Sequence, residues 1–216
     1  MRPIAWGLIV LVAGLGLVLY ARENRAPDDR GYAGEASRRL VNEHELILTA
    51  VDAIQAEAAD IRRGFTLDRE RVRRIVDFSR NFTDQYHDAK EERYYFPAVR
   101  VYAGQQVYGL ISELEAEHAY GRAIVDQIEY LLRSTDRAVA RIIAERLATY
   151  ADMLRRHIQK ENSLFQRADE TLSGEEQRAT LIAFDRFEKI ETIENTYDKY
   201  YNFAQELRDK LRRREE

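Results

Sequence analysis

His157-Ile-Gln-Lys-Glu161 and, earlier in the chain, His87-Asp-Ala-Lys-Glu91 are one five-residue frame used twice. On an α-helix, residues four apart lie on one face, so each frame aims an imidazole and a carboxylate at one point. That spacing suits a metal ion. Upstream of each frame stands a Glu-His pair, Glu43-His44 before the first and Glu117-His118 before the second. These positions hold all four histidines of the chain.

Around them apolar residues repeat in steps of four and three, which describes the seam of a helix bundle. A first helix from about Glu35 to about Arg62 carries Leu40, His44, Ile47, Val51, Ile54, Ala58 and Ile61 on one line. Gly64 breaks it, and Thr66, Asp68 and Glu70 supply the cap and acidic first turn of a second. The inward line of this second helix is Val72, Val76, Thr83, His87, Glu91 and Tyr94 or Tyr95, with Pro97 ending it. A third helix, about 106 to 133, repeats Ile111, Leu114, His118, Gly121, Val125, Ile128 and Leu132. A fourth, capped by Ser134-Thr135-Asp136, repeats Ile143, Leu147, Tyr150, Leu154, His157, Glu161 and Leu164.

A lone histidine on an apolar face is usually an ordinary core residue. Four imidazoles and two carboxylates in the middle of four seams are another matter, since each would cost about 1–3 kcal/mol if buried without a partner. A metal centre satisfies them together. The candidate ligands are therefore His44, His87, Glu91, His118, His157 and Glu161. Imidazole and carboxylate without thiolate, in the core of a helix bundle, favour iron, with manganese or zinc behind.

With 216 residues, 45% hydrophobic and 33% charged, the chain can bury one sizeable core. Its net charge of -4 is spread as mixed-sign pairs, which leaves no nucleic-acid footprint. There is no cysteine, so disulfides, thiolate metal sites and cysteine nucleophiles are excluded.

From Pro3 to Tyr20 the chain is uncharged and almost wholly apolar, with Trp6 and Tyr20 near the ends. As a helix it would reach about 27 Å, close to the hydrocarbon thickness of a bilayer. Residues 1–20 are expected to be a transmembrane anchor and 21–34, with Pro27 among charges, a linker. A cleaved signal peptide is the rival, but Leu19-Tyr20-Ala21 is a poor cleavage site. The expected localisation is a single-pass membrane protein, with flanking arginines leaning towards a cytoplasmic domain.

Residues 35–172 then form the bundle and 173–216 a C-terminal helical extension. Ser173 and Glu176 have capping-box spacing. Leu181, Phe184 and Phe187 are expected to cover one end of the bundle. Ile190, Ile193, Tyr197, Tyr200, Ala204, Leu207 and Leu211 continue as a heptad, read as a docking helix or as one that joins a second copy into a homo-oligomer.

At Glu43-His44, His87-Asp-Ala-Lys-Glu91-Glu92, Glu117-His118 and His157-Ile-Gln-Lys-Glu161-Asn162 the chain resembles the hemerythrin-like, or HHE cation-binding, family. The resemblance implies an all-α, up-down-up-down four-helix bundle holding a non-haem di-iron centre. By position, His44 and His87 would bind one iron, His118 and His157 the other, and Glu91 and Glu161 would bridge them beside an oxo or hydroxo group. Oxygen-carrying relatives have a fifth histidine one turn from the third-helix ligand and an aspartate on the fourth helix. Here Leu114 and Arg122 flank His118, and Glu161 takes the aspartate's place. The four-His, two-Glu set is similar to that of di-iron proteins associated with repair of iron centres.

The function expected is that of a membrane-anchored di-iron protein that binds or reacts with dioxygen, nitric oxide or peroxide, in oxidative or nitrosative stress. A reversible oxygen-binding or sensing module and a structural-metal scaffold are the alternatives. Glu43 and Glu117 are either acceptors that orient imidazoles or ordinary surface acids. No polar donor apart from the tyrosines, Tyr86, Tyr94, Tyr95 and Tyr150, is assigned to the seams, so oxidation is expected to outrun storage of oxygen.

Overall fold

The computed structural model describes residues 34–190, 192 and 196–215, with side chains as far as residue 209. Among them there is no β-strand. Helix α1 (Glu35–Arg62) is followed by a long second rod made of α2 (Arg69–Phe78), two π-wound stretches (Ser79–Asp88 and Glu91–Tyr95) and α3 (Phe96–Tyr102). Then come α4 (Tyr108–Leu131), α5 (Val139–Thr171), α6 (Gly174–Ile190) and α7 (Thr196–Glu215).

Cross-helix pairs fix the directions. Ser37 bonds Asp169 while Asp52 meets Arg155, so α1 and α5 run antiparallel. Glu57 pairs with Arg71 and Ser37 with Tyr95, so the second rod returns along α1. Arg80 meets Asp126 while Arg100 meets Glu115, and Glu113 meets Lys160 while Gly121 lies against Met153 and Tyr150. Each of the four long rods is thus antiparallel to the next, and the result is an all-helical bundle.

Asp68 caps α2 by accepting from the Arg71 amide, as the acidic first turn led one to expect. Ser173 and Glu176 close the expected capping box, the Ser173 amide donating to Glu176 at 2.7 Å. Ser134 and Asp136 do not cap the fourth rod directly; they form a turn ahead of it, and α5 begins at Val139. Pro97 does not end the second rod. It sits in the first turn of α3, where a missing N–H costs no intrahelical bond, and the rod runs on to Gly104, whose φ of 80° makes the turn.

The core has two parts, one on either side of the histidine layer. In the first, Tyr200, Phe203, Ala204 and Leu207 of α7 pack with Phe78 and Phe82 of the second rod. The docking choice for this stripe is the one realised within the chain. Helix α6 lies along α1 and the second rod: Phe184 and Phe187 meet Tyr94, and Asp185 pairs with Arg39.

The single-pass membrane localisation is corrected here. No helix among the described residues is long and apolar enough to cross a membrane, because each carries charged residues along its length. The stretch 3–20 and the linker 21–34, save its last residue, lie outside the described residues.

Candidate metal centre

All six candidate ligands meet in the middle of the bundle. His44, His87, Glu91 and Glu161 form one group of converging ligand atoms, and Glu91, His118, His157 and Glu161 a second, with both carboxylates common to the two. All six are buried. His87 Nε2 stands 3.4 Å from Glu91 Oε1 and His157 Nε2 2.8 Å from Glu161 Oε1, so both frames close as the spacing predicted. Glu91 also turns Oε2 towards His118 Nε2 at 3.4 Å, and Glu161 turns Oε2 towards His44 Nε2 at 3.1 Å.

The outer nitrogens are held just as consistently. Nδ1 of His44 meets Asn162 Oδ1, that of His87 meets Glu43 Oε2, that of His118 meets Glu92 Oε1 and that of His157 meets Glu117 Oε2, each at 2.9 Å. The four pairs form a closed ring in which every rod supplies the acceptor for the next rod's histidine. An imidazole that donates from Nδ1 presents a bare lone pair at Nε2, so the ring turns four lone pairs inward. Glu43 and Glu117 are therefore orienting acceptors. Glu92 and Asn162, each directly after a ligand glutamate, do the same and were not singled out from sequence; their offset of one from Glu91 and Glu161 was the available signal.

The lysine shared by the two frames completes the arrangement. Lys90 binds Glu43 and Lys160 binds Glu117, so each frame's lysine holds the glutamate that holds the same frame's histidine. Lys90 is fully buried; its ammonium lies 3.8 Å from the Tyr86 ring centroid and donates to Glu188 of α6 at 2.8 Å. Lys160 stays partly exposed beside Glu113.

Most of the atoms inside the ring lack partners. Nε2 of His44 and His87, both oxygens of Glu91 and Oε2 of Glu161 are buried without a hydrogen bond. Nε2 of His118 and of His157 face each other at 2.9 Å. Two lone pairs at that separation repel unless a cation or proton joins them, and two nitrogens bound at about 2.1 Å to one ion and at right angles stand about 3 Å apart. The proton balance of the metal-free chain points the same way. Against burial, Asp88, Glu161, Glu91 and Glu92 raise His118 well above the usual imidazole range, while burial and Glu161 push the Glu91 carboxyl well up. Burial favours neutral Glu161 too, yet His157, His118 and His44 hold it well below the usual carboxylate range. Positive charge is wanted at the centre, and a metal ion supplies it.

The two sides differ in access. On the His44–His87 side, Phe165 stacks on His44 with ring centroids 5.5 Å apart and Tyr95 closes behind it. On the other side a cavity of about 130 Å³ reaches His118 and His157 and is bounded by Ser79, Thr83, Asp88, Gly121, Tyr150 and Met153 among others. A Cβ at Gly121 would lie 3.0 Å from the tip of Met153, so this glycine leaves room on the α4 side of the cavity. Of the four tyrosines named from sequence, Tyr150 lines the cavity. Tyr86 lies under Lys90, Tyr95 bonds Ser37 at 2.6 Å and Tyr94 packs on α6. The expectation that only tyrosines bring polar groups to the seams is corrected by Ser79, Thr83 and Asp88.

A helical bundle whose core is a ring of four imidazoles around two carboxylates is a metal-binding protein of the histidine–carboxylate class. A family model described as the hemerythrin HHE cation binding domain matches residues 35–168, and the chain belongs to that family. Comparison with curated proteins and with solved structures gives no match.

Proposed function

We propose that the chain is a di-iron protein whose centre reacts with a small oxidant or gas, dioxygen, nitric oxide or peroxide, through the cavity beside His118 and His157. His44 and His87 hold one ion and His118 and His157 the other, with Glu91 and Glu161 reaching both. The unpartnered inward atoms carry this reading, because each carboxylate directs one oxygen to each histidine pair. The up-down-up-down topology implied by the resemblance is supported by the antiparallel pairs above. When bound, the iron pair supplies open coordination positions and electrons. The chain's own residues set the imidazole lone pairs, exclude bulk water from the His44–His87 side and admit small molecules on the other. That opening is the observation against a purely structural metal.

The test is optical. Ferrous-loaded chain exposed to air should gain near-ultraviolet absorbance once and keep it when oxygen is withdrawn. A spectrum that returns on deoxygenation, over repeated cycles, would make the protein an oxygen carrier instead.

A further inference from the structure

The cavity is polar on one wall and apolar on the other, and the polar wall is a product of the π-wound stretch. With roughly 4.4 residues a turn, steps of four and five come back to one side. Ser79, Thr83 and Asp88 therefore share a line, whereas α-helical winding would put Asp88 well off the line of Thr83. The hydroxyls of Ser79 and Thr83 are both buried without a hydrogen-bond partner. The Tyr150 phenol, pushed up by burial and drawn back by the two hydroxyls, is near both but makes no well-formed hydrogen bond to either. Asp88 lies deeper, with Oδ1 3.9 Å from His118 Nε2.

The opposite wall is Gly121, Val125, Met153 and Leu154. At the edge of the cavity Arg122 binds Asp84 and Glu92, and Arg80 binds Asp126 and Glu129, so each guanidinium is shared by two carboxylates. With that excess of carboxylates the cavity has no pull on an anion. It offers acceptors and hydroxyls to a neutral molecule that can itself donate and accept.

We propose that this cavity is a binding site for a small neutral protic molecule, hydrogen peroxide in particular, held by Ser79, Thr83 and Asp88 against the His118–His157 face. Dioxygen and nitric oxide fit the volume but carry no proton to give to Asp88, so they leave the polar wall unsatisfied. Hydrogen peroxide has two donors and spare lone pairs. The proposal rests on the di-iron reading for what the bound molecule meets, but the binding itself belongs to the cavity.

Two measurements on the full chain separate these. In crystals of the metal-free protein, ordered water, or peroxide after soaking, should occupy the space between Ser79 and Thr83, and pressurised xenon should not enter. The Ser79→Ala, Thr83→Val double variant should lose the molecule ordered between those two side chains. Xenon in the native cavity overturns the proposal whatever the metal content. In ferrous-loaded protein the double variant should be oxidised by hydrogen peroxide about 10-fold more slowly, with a smaller loss of rate towards dioxygen. Equal losses towards both, or none, would overturn it. A chain that holds no iron but shows the expected crystal result would retire the di-iron reading and keep the site.

Discussion

Lys90 and Lys160 hold the same place in the two frames, and their surroundings show how one motif makes two different half-sites. Lys90 is sealed between Glu43, the Tyr86 ring and Glu188 of α6, behind a half-site that Phe165 and Tyr95 close. Lys160 lies at the edge of the bundle with Glu113 and Glu117, behind the half-site that opens to the cavity. The inner geometry is alike in both, so the difference is made by what covers it, and the cover comes partly from α6, outside the matched residues 35–168.

The largest expected contrast is in stability. Glu43→Ala leaves a fully buried ammonium with Glu188 alone and should cost about 3–5 kcal/mol. Glu117→Ala weakens a partly exposed pair and should cost about 0–1 kcal/mol from that pair. Urea unfolding of the metal-free variants measures both, and equal costs would break the comparison. Next comes metal affinity. Glu43→Gln and Glu117→Gln each change the acceptor of one ligand imidazole and should weaken retention of one ion about 10–100-fold in a chelator competition. If either variant released both ions together, the half-sites would not be separable.

Gly121→Leu should fill the cavity and slow oxidation of the ferrous chain several-fold with metal content unchanged. Unchanged rates would mean that small molecules arrive from the other side. The smallest effect is in pH. Burial pushes His87 down to about 4, so its contribution to the stability of the metal-free chain is present above about 6.5 and is lost as pH falls towards 4. His118 is shifted well up by Asp88, Glu161, Glu91 and Glu92 despite burial, so its contribution is present below about 6.5 and is lost as pH rises. Thermal melts of His87→Ala and His118→Ala across that range should therefore diverge from native at opposite ends. Divergence at the same end would contradict the assignment.

The convergence of the candidate ligands was legible because chemistry and spacing coincided: histidine and glutamate four apart, on apolar lines, in each rod that carries a frame. The ring that orients them was half visible. Glu43 and Glu117 sit beside candidate ligands, but which histidine each holds depends on which rods are neighbours, and the same is true of Glu92 and Asn162. The winding of Ser79–Asp88 left no mark in the pattern, since α-helical counting already explained Thr83 and His87; what it adds is the placement of Ser79 and Asp88 in the cavity. Pro97 read as a stop because proline breaks helix interiors, yet after a π-wound turn it begins a new first turn. Tyr200, Ala204 and Leu207 suit a partner copy or the bundle equally in sequence, and it is their packing with Phe78 and Phe82 that shows the contact within the chain.

Metal analysis tests the central claim most directly. The chain loaded anaerobically with ferrous iron and then desalted should retain about two irons, and His118→Ala and His44→Ala should each retain about one. Iron near zero in the native chain, or iron unaffected by removal of His118, would contradict a centre built from these six side chains.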